Sequence, residues 1–190
     1  VGSFSYKESH ALVVGIGDYN GGWPLLPGVK RDVREVTQAL EKNGFHVVVK
    51  ENLDHSDLEK TFRDFILQYG LAPENRLLLY FAGHGYTLKN TYAPDDPTQW
   101  TGVIVARNAP LPTTEITSEF RAKTLPIDRF ASMARDIQSR HALFIFDSCF
   151  SGARGFSLFV PSPDDLVQGV TAKTREYVRQ FISSGSADQQ

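Results

Sequence analysis

The segment Ala142-Leu143-Phe144-Ile145-Phe146-Asp147-Ser148-Cys149-Phe150-Ser151-Gly152 decides the fold of this 190-residue chain. Its apolar first half is typical of a buried strand, and the polar residues and glycine after it predict a loop. Cys149 is the only cysteine of the chain, and we expect it where that strand ends and the loop begins.

A second unit of the same design lies upstream, where the run Leu77-Leu78-Leu79-Tyr80-Phe81 leads into Ala82-Gly83-His84-Gly85. The thiol of Cys149 and the imidazole of His84 are thus each predicted to lie at the end of a strand. A lone cysteine with a histidine distant in sequence is a candidate nucleophile and base. In parallel α/β sheets, functional sites lie at the carboxyl ends of the strands, which is where both residues are predicted to be.

Together the two motifs resemble the caspase-like (clan CD) cysteine peptidases, most closely metacaspases and their bacterial relatives, over Ala11 to Gln190. The resemblance implies a three-layer α/β sandwich, with a mostly parallel central sheet and helices on both faces. It also implies a cysteine endopeptidase in which Cys149 attacks the peptide carbonyl and His84 transfers protons. The amides of Gly85 and Cys149 would then form the oxyanion hole, and no third catalytic residue is evident.

The same resemblance assigns three carboxylates to the substrate pocket. Asp147 stands two residues before the nucleophile, where aspartate-cleaving caspases have glutamine, while Asp32 and Asp188 match two further metacaspase segments. Carboxylates at a pocket floor select arginine or lysine, and arginine pairs best because its fork is bidentate. Two alternatives stay open: Asp32 could simply favour a helix N-terminus, and Asp188 could lie in a disordered chain end.

The organisation of the chain supports one α/β domain. Apolar runs predict strands at 11–16, 46–49, 77–81 and 142–146 and a short fifth strand from Phe181. Helical periodicity lies between them, and Ser56-Asp57-Leu58-Glu59 predicts a capping box for the second helix. Residues 87–125 and 152–168 are predicted to be loops that frame the substrate cleft.

Composition excludes several other classes. The net charge of −2 gives no basic surface for nucleic acid or for a membrane, and no apolar run approaches the roughly 20 residues that span a bilayer. One cysteine allows no internal disulfide, so we expect a cytoplasmic protein.

No cofactor and no metal are predicted, because no Cys/His cluster has ligand spacing. Gly15-Ile16-Gly17-Asp18-Tyr19-Asn20 lacks the third glycine of a dinucleotide loop.

We expect residues 1–190 to be the larger part of a caspase-like catalytic domain. In the family the sheet continues past the strand at Phe181, so the small-subunit portion of the same protein is an expected partner, beside a protein or peptide substrate with a basic residue before the cut bond. If the pocket prefers basic residues, Arg154, Lys173 and Arg175 are candidate sites of self-cleavage.

Three rival hypotheses remain at this point. The domain could be a catalytically silent caspase-like scaffold or regulatory module. It could be a flavodoxin-like signalling domain, but that class explains neither the G-H-G motif nor the D-S-C-F-S-G motif. Ser148 or Ser151 could be the nucleophile, but no G-x-S-x-G motif supports a serine.

Overall fold

The computed structural model describes residues 5–112, 115–148 and 178–183. Within these residues the strands are β1 Ser9–Gly15, β2 His46–Glu51, β3 Arg76–Ala82, β4 Gly85–Leu88, β5 Thr101–Val105, β6 Thr124–Pro126, β7 His141–Asp147 and β8 Val178–Ser183. The helices are α1 Val29–Lys42, α2 His55–Tyr69, α3 Ser118–Ala122 and α4 Ile127–Asp136, with a short 3-10 turn at Pro97–Gln99.

Five of these strands form a parallel sheet in the order β2-β1-β3-β7-β8. The strands β1 and β3 are buried along almost their whole length, as continuous apolar runs require when both faces of a sheet are covered. The predicted fold class is confirmed, and the fifth strand at Phe181 is present. Since all five strands are parallel, their carboxyl ends lie along one edge of the sheet.

Alternate residues of each strand face opposite layers of the fold. Leu12, Leu79 and Phe144 belong to the core on the side of α2 and α4, whereas Val13 and Tyr80 pack with the apolar stripe of α1. The larger core contains Phe130, which is fully buried and makes edge-to-face contacts with Phe62 and with Phe146.

The helices α1 and α2 both end close to glycines, but α2 does not begin where the sequence predicted. Gly44 adopts a φ of 78° just past α1, and Gly70 follows α2 and donates its amide to Ile66. The capping box at Ser56 was wrong, because Asp54 is the N-cap residue. The amide of His55 donates instead to the Asn108 side chain at 3.1 Å, a tertiary contact that no local pattern reveals.

The prediction of a loop over residues 87–125 was wrong in part. The region contains β5 and α3, and its two ends belong to β4 and β6, which pair with β5 in an antiparallel sheet of order β4-β5-β6. Its middle strand contains the apolar run Val103-Ile104-Val105, which is fully buried. That run was the available signal for a strand, and the prolines on either side obscured it.

Among the described residues, no helix has the length and apolar character needed to cross a membrane.

Candidate active site

The candidate site is built at the carboxyl ends of β1, β3 and β7. Gly15, Ala82 and Asp147 lie side by side in the last row of the sheet. His84 and Cys149 each stand two residues beyond the pair Ala82–Asp147, so the two motifs leave the sheet from neighbouring strands. Cys149 itself lies outside the described residues.

The ends of β3 and β7 are joined by two hydrogen bonds just beyond the sheet. The Gly83 amide donates to the Asp147 carbonyl at 3.3 Å, and the buried Ser148 hydroxyl donates to the Gly83 carbonyl at 2.9 Å. The residue before Cys149 is therefore bonded to the residue before His84. Ser148 thus has a structural role that sequence reasoning, which weighed it as a nucleophile, did not foresee.

The imidazole of His84 is held by a backbone carbonyl. His84 Nε2 lies 2.8 Å from the Pro24 carbonyl oxygen, and because a carbonyl can only accept, Nε2 carries the proton. In the neutral ring this leaves Nδ1 as the proton acceptor. The rings of Tyr19 and Trp23 pack against the imidazole, with centroids 4.7 and 5.0 Å away. The sequence did not indicate this contact of Pro24 with His84, because a carbonyl has no side-chain signature.

The segment that supplies the Pro24 carbonyl is held by the loop that follows β5. The indole Nε1 of Trp23 donates to the Pro110 carbonyl at 3.2 Å, and the Leu111 amide donates to the Gly21 carbonyl at 2.8 Å. Gly21 must be glycine, because a Cβ there would lie 1.8 Å from the Ala109 carbonyl oxygen. The second sheet thus positions an acceptor for His84.

Gly85 begins β4, an edge strand, and lines the cleft beside His84. Antiparallel pairs alternate between residues that exchange hydrogen bonds and residues that exchange none. The Val105 amide donates to the His84 carbonyl at 3.0 Å, so the next pair, Gly85–Ile104, exchanges no backbone hydrogen bonds. The N–H of Gly85 is therefore directed away from β5.

Two carboxylates lie in the same cleft, which has a volume of about 420 Å³. Asp32 comes from the first turn of α1 and Asp147 from the end of β7, and both line this cleft with His84. The Tyr80 hydroxyl donates to Asp147 Oδ2 at 3.2 Å. Burial raises the pKa of Tyr80, and the charges of Asp147 and Asp32 raise it further, so the phenol stays the donor to Asp147.

Several predicted site residues cannot be placed in this way. Asp188, Arg154, Lys173 and Arg175 lie outside the described residues, as does the predicted loop 152–168. Within the described part of the chain, no group of three or more His, Cys, Asp and Glu side chains is arranged to hold a metal ion.

The fold and the paired strand ends are those of the caspase-like α/β class. The chain belongs to the caspase domain family (Peptidase_C14), whose model matches residues 8–190.

One solved structure that is similar is the crystal structure of protein GSU0716 from Geobacter sulfurreducens, with a TM-score of 0.56 and 17% sequence identity. The match covers 75% of this chain and 50% of that one, so this chain spans about half the length of its structural relative. At this identity the likeness concerns the fold alone. No curated protein matches this chain.

Proposed function

We propose that the chain is a cysteine endopeptidase that cuts after arginine or lysine, with Cys149 as nucleophile and His84 as general base and acid. The observation that carries the proposal is the hydrogen bond from Ser148 to Gly83, which ties together the residues that precede Cys149 and His84. A nucleophile and its base must lie within reach of one another, and strand ends bonded this closely favour such a pair.

The tautomer of His84 is the one that this chemistry requires. With Nε2–H donated to Pro24, Nδ1 takes the thiol proton, and the sulfur attacks the substrate carbonyl carbon. As the C–N bond breaks, the imidazolium returns that proton to the leaving amine. Water then hydrolyses the thioester and releases the acid and the thiol. The Pro24 carbonyl supports the imidazolium because it accepts from a donor that is then charged.

The oxyanion of the tetrahedral intermediate would be held by the amides of Gly85 and Cys149. The direction of the Gly85 N–H away from β5, on a residue that lines the cleft, supports this assignment. Each donor of this kind stabilises the transition state by about 3 kcal/mol.

The preference for basic residues rests on Asp32 and Asp147. Both line the cleft beside His84, and the charge of each raises the pKa of the Tyr80 phenol. An arginine side chain between two carboxylates can form paired charge-assisted hydrogen bonds, whereas an aspartate there would be repelled. Asp188 is proposed as a third acid of this pocket on sequence resemblance alone.

We further propose that residues 1–190 are the larger part of the catalytic domain, completed by the small-subunit portion of the same protein. Cleavage at Arg154, Lys173 or Arg175 would release the segment after β7 to order around the cleft. Intact-mass measurement of the full-length protein tests this step. Fragments ending at one of these residues are expected for the wild type and not for Cys149→Ala.

The activity is tested with fluorogenic peptides that carry Arg, Lys or Asp before the scissile bond. Wild-type protein should cleave the Arg and Lys peptides, and Cys149→Ala and His84→Ala should lose at least about a thousandfold in kcat/KM with unchanged melting temperatures. Ser151→Ala is the matched control and should stay active, since it removes a hydroxyl from the same motif. Cleavage by Cys149→Ala would refute the proposed mechanism. A silent scaffold would cleave no peptide and leave a thiol-directed peptidyl reagent unreacted.

A further inference from the structure

Tyr19 lies between β1 and α1 and is buried in the larger core, with 5% of its surface exposed. Its hydroxyl lies 2.6 Å from the His84 amide nitrogen, from which it accepts, and 3.5 Å from the Val105 carbonyl oxygen, to which it donates. The Tyr19 ring also packs against the His84 imidazole. The side chain therefore contacts both the backbone and the ring of the proposed base.

The hydroxyl occupies a specific place in the ladder between β4 and β5. In a bonded antiparallel pair, each residue donates its amide to the carbonyl of the other. The Val105 amide donates to the His84 carbonyl as expected. The His84 amide does not donate directly to the Val105 carbonyl; it donates to the Tyr19 hydroxyl, which in turn donates to that carbonyl. A hydroxyl suits this position because it can accept and donate at once.

The first glycine of the G-H-G motif makes room for this hydroxyl. A Cβ on Gly83 would lie 2.7 Å from Tyr19 Oη and 2.9 Å from Phe81 Cζ. Real Cβ atoms essentially never come this close to other heavy atoms. Gly83 and the Tyr19 hydroxyl thus pack closely against one another next to His84.

We propose that Tyr19 is a positioning residue, whose hydroxyl holds the His84–Gly85 backbone so that the Gly85 amide is set to receive the oxyanion of acyl transfer. This role rests on the proposed function. Without the hydroxyl, either two buried backbone groups lose their partner, or the ladder closes and draws His84 towards Val105. Both outcomes displace the Gly85 amide. Burial raises the pKa of Tyr19, so the hydroxyl keeps its proton at neutral pH.

The test compares Tyr19→Phe with Tyr69→Phe in the full-length protein. Tyr69 ends α2 and stacks on His10 at the amino end of β1, far from the cleft, so its variant controls for loss of a phenol. Tyr19→Phe should lower kcat for an Arg peptide by about tenfold to a hundredfold with KM within about twofold, because small displacements of this kind cost catalysis and not binding. Tyr69→Phe should leave both constants within about twofold.

A peptide aldehyde ending in arginine separates positioning from general destabilisation. The thiol adds to the aldehyde to form a hemithioacetal, whose oxygen occupies the oxyanion position. Affinity for the aldehyde should fall by the same factor as kcat in Tyr19→Phe. Alkylation of the thiol by iodoacetamide, which forms no oxyanion, should keep its rate within about twofold.

Gly83→Ala is a second variant, since its Cβ would push the Tyr19 hydroxyl away, and it should lose aldehyde affinity in the same way. Wild-type kcat and aldehyde affinity in Tyr19→Phe would overturn the inference, as would equal losses of aldehyde affinity and alkylation rate. Failure of the proposed function would look different, because the wild type would then neither cleave the peptide nor bind the aldehyde.

Discussion

Replacing Asp147 by asparagine tests the proposed preference for basic substrates most directly. The change removes one negative charge from the cleft and keeps the shape of the side chain. The amide oxygen of asparagine can still accept the Tyr80 hydroxyl, which donates to Asp147 Oδ2 at 3.2 Å. The backbone contact also survives, since Gly83 donates to the main-chain carbonyl of residue 147. These two contacts are kept, so the substitution mainly tests the loss of the charge.

The expected magnitude follows from the exposure of Asp147 and from the second acid in the cleft. A hydrogen bond to a charged group contributes about 1.5–3 kcal/mol. Asp147 is exposed, so solvent screens its charge and the lower value applies. Since 1.4 kcal/mol corresponds to a factor of ten, kcat/KM for an Arg peptide should fall about tenfold. Asp32 lines the same cleft and should retain the remaining preference.

The assay is the steady-state cleavage of Arg and Asp peptides by wild type, Asp147→Asn and Asp136→Asn. Asp136 is an exposed carboxylate at the end of α4, so its variant controls for the loss of one charge. The loss should appear in KM and shrink as salt is added. An unchanged kcat/KM for the Arg peptide in Asp147→Asn would refute the assignment of this carboxylate to the pocket.

Three further predictions concern the packing around the site. Ser148→Ala should lower the free energy of unfolding by about 1–2 kcal/mol in urea titrations, because the Gly83 carbonyl loses its buried partner, and it should reduce turnover. An unchanged turnover would contradict the proposed coupling of the two strand ends. Phe130→Ala should cost about 3–5 kcal/mol, since the ring is fully buried between two other phenylalanines, and a loss below about 1 kcal/mol would contradict that packing. Tyr19 and Tyr80 have raised pKa values. Their protonated forms stabilise the fold fully below about pH 10, and this stability is lost as the pH rises through their folded-state pKa values, so ultraviolet titration should show these two ionising last. Titration of all tyrosines near pH 10 in the folded protein would contradict this.

The sequence determined the strands of the parallel sheet and the helical segments between them. The continuous apolar runs at β1 and β3 predict strands that are buried on both faces, and such strands belong to a parallel sheet. The position of His84 at a strand end followed from the run at β3, and the prediction for Cys149 followed from the run at β7. Local physics, the change from apolar to polar and glycine residues, was sufficient for these conclusions.

Contacts between distant segments could not be predicted in this way. Asn108 caps α2 from another part of the chain, so the local capping box was misleading. The second sheet was missed because β4, β5 and β6 are three to five residues long, and prolines lie before and after β5. Short strands become stable only when partners pair with them, and a pairing partner is a property of the fold.

The sequence by itself thus indicated which side chains are candidates for the proposed chemistry, because acids, bases and nucleophiles are recognised by type and by position at a strand end. Only the tertiary structure decided what holds them. Three contacts come from segments distant in sequence: the Pro24 carbonyl sets the His84 tautomer, the Tyr19 hydroxyl lies between β4 and β5, and the Tyr80 phenol donates to Asp147. The physical reason is that hydrogen bonds act over about 3 Å in space, whatever the separation along the chain.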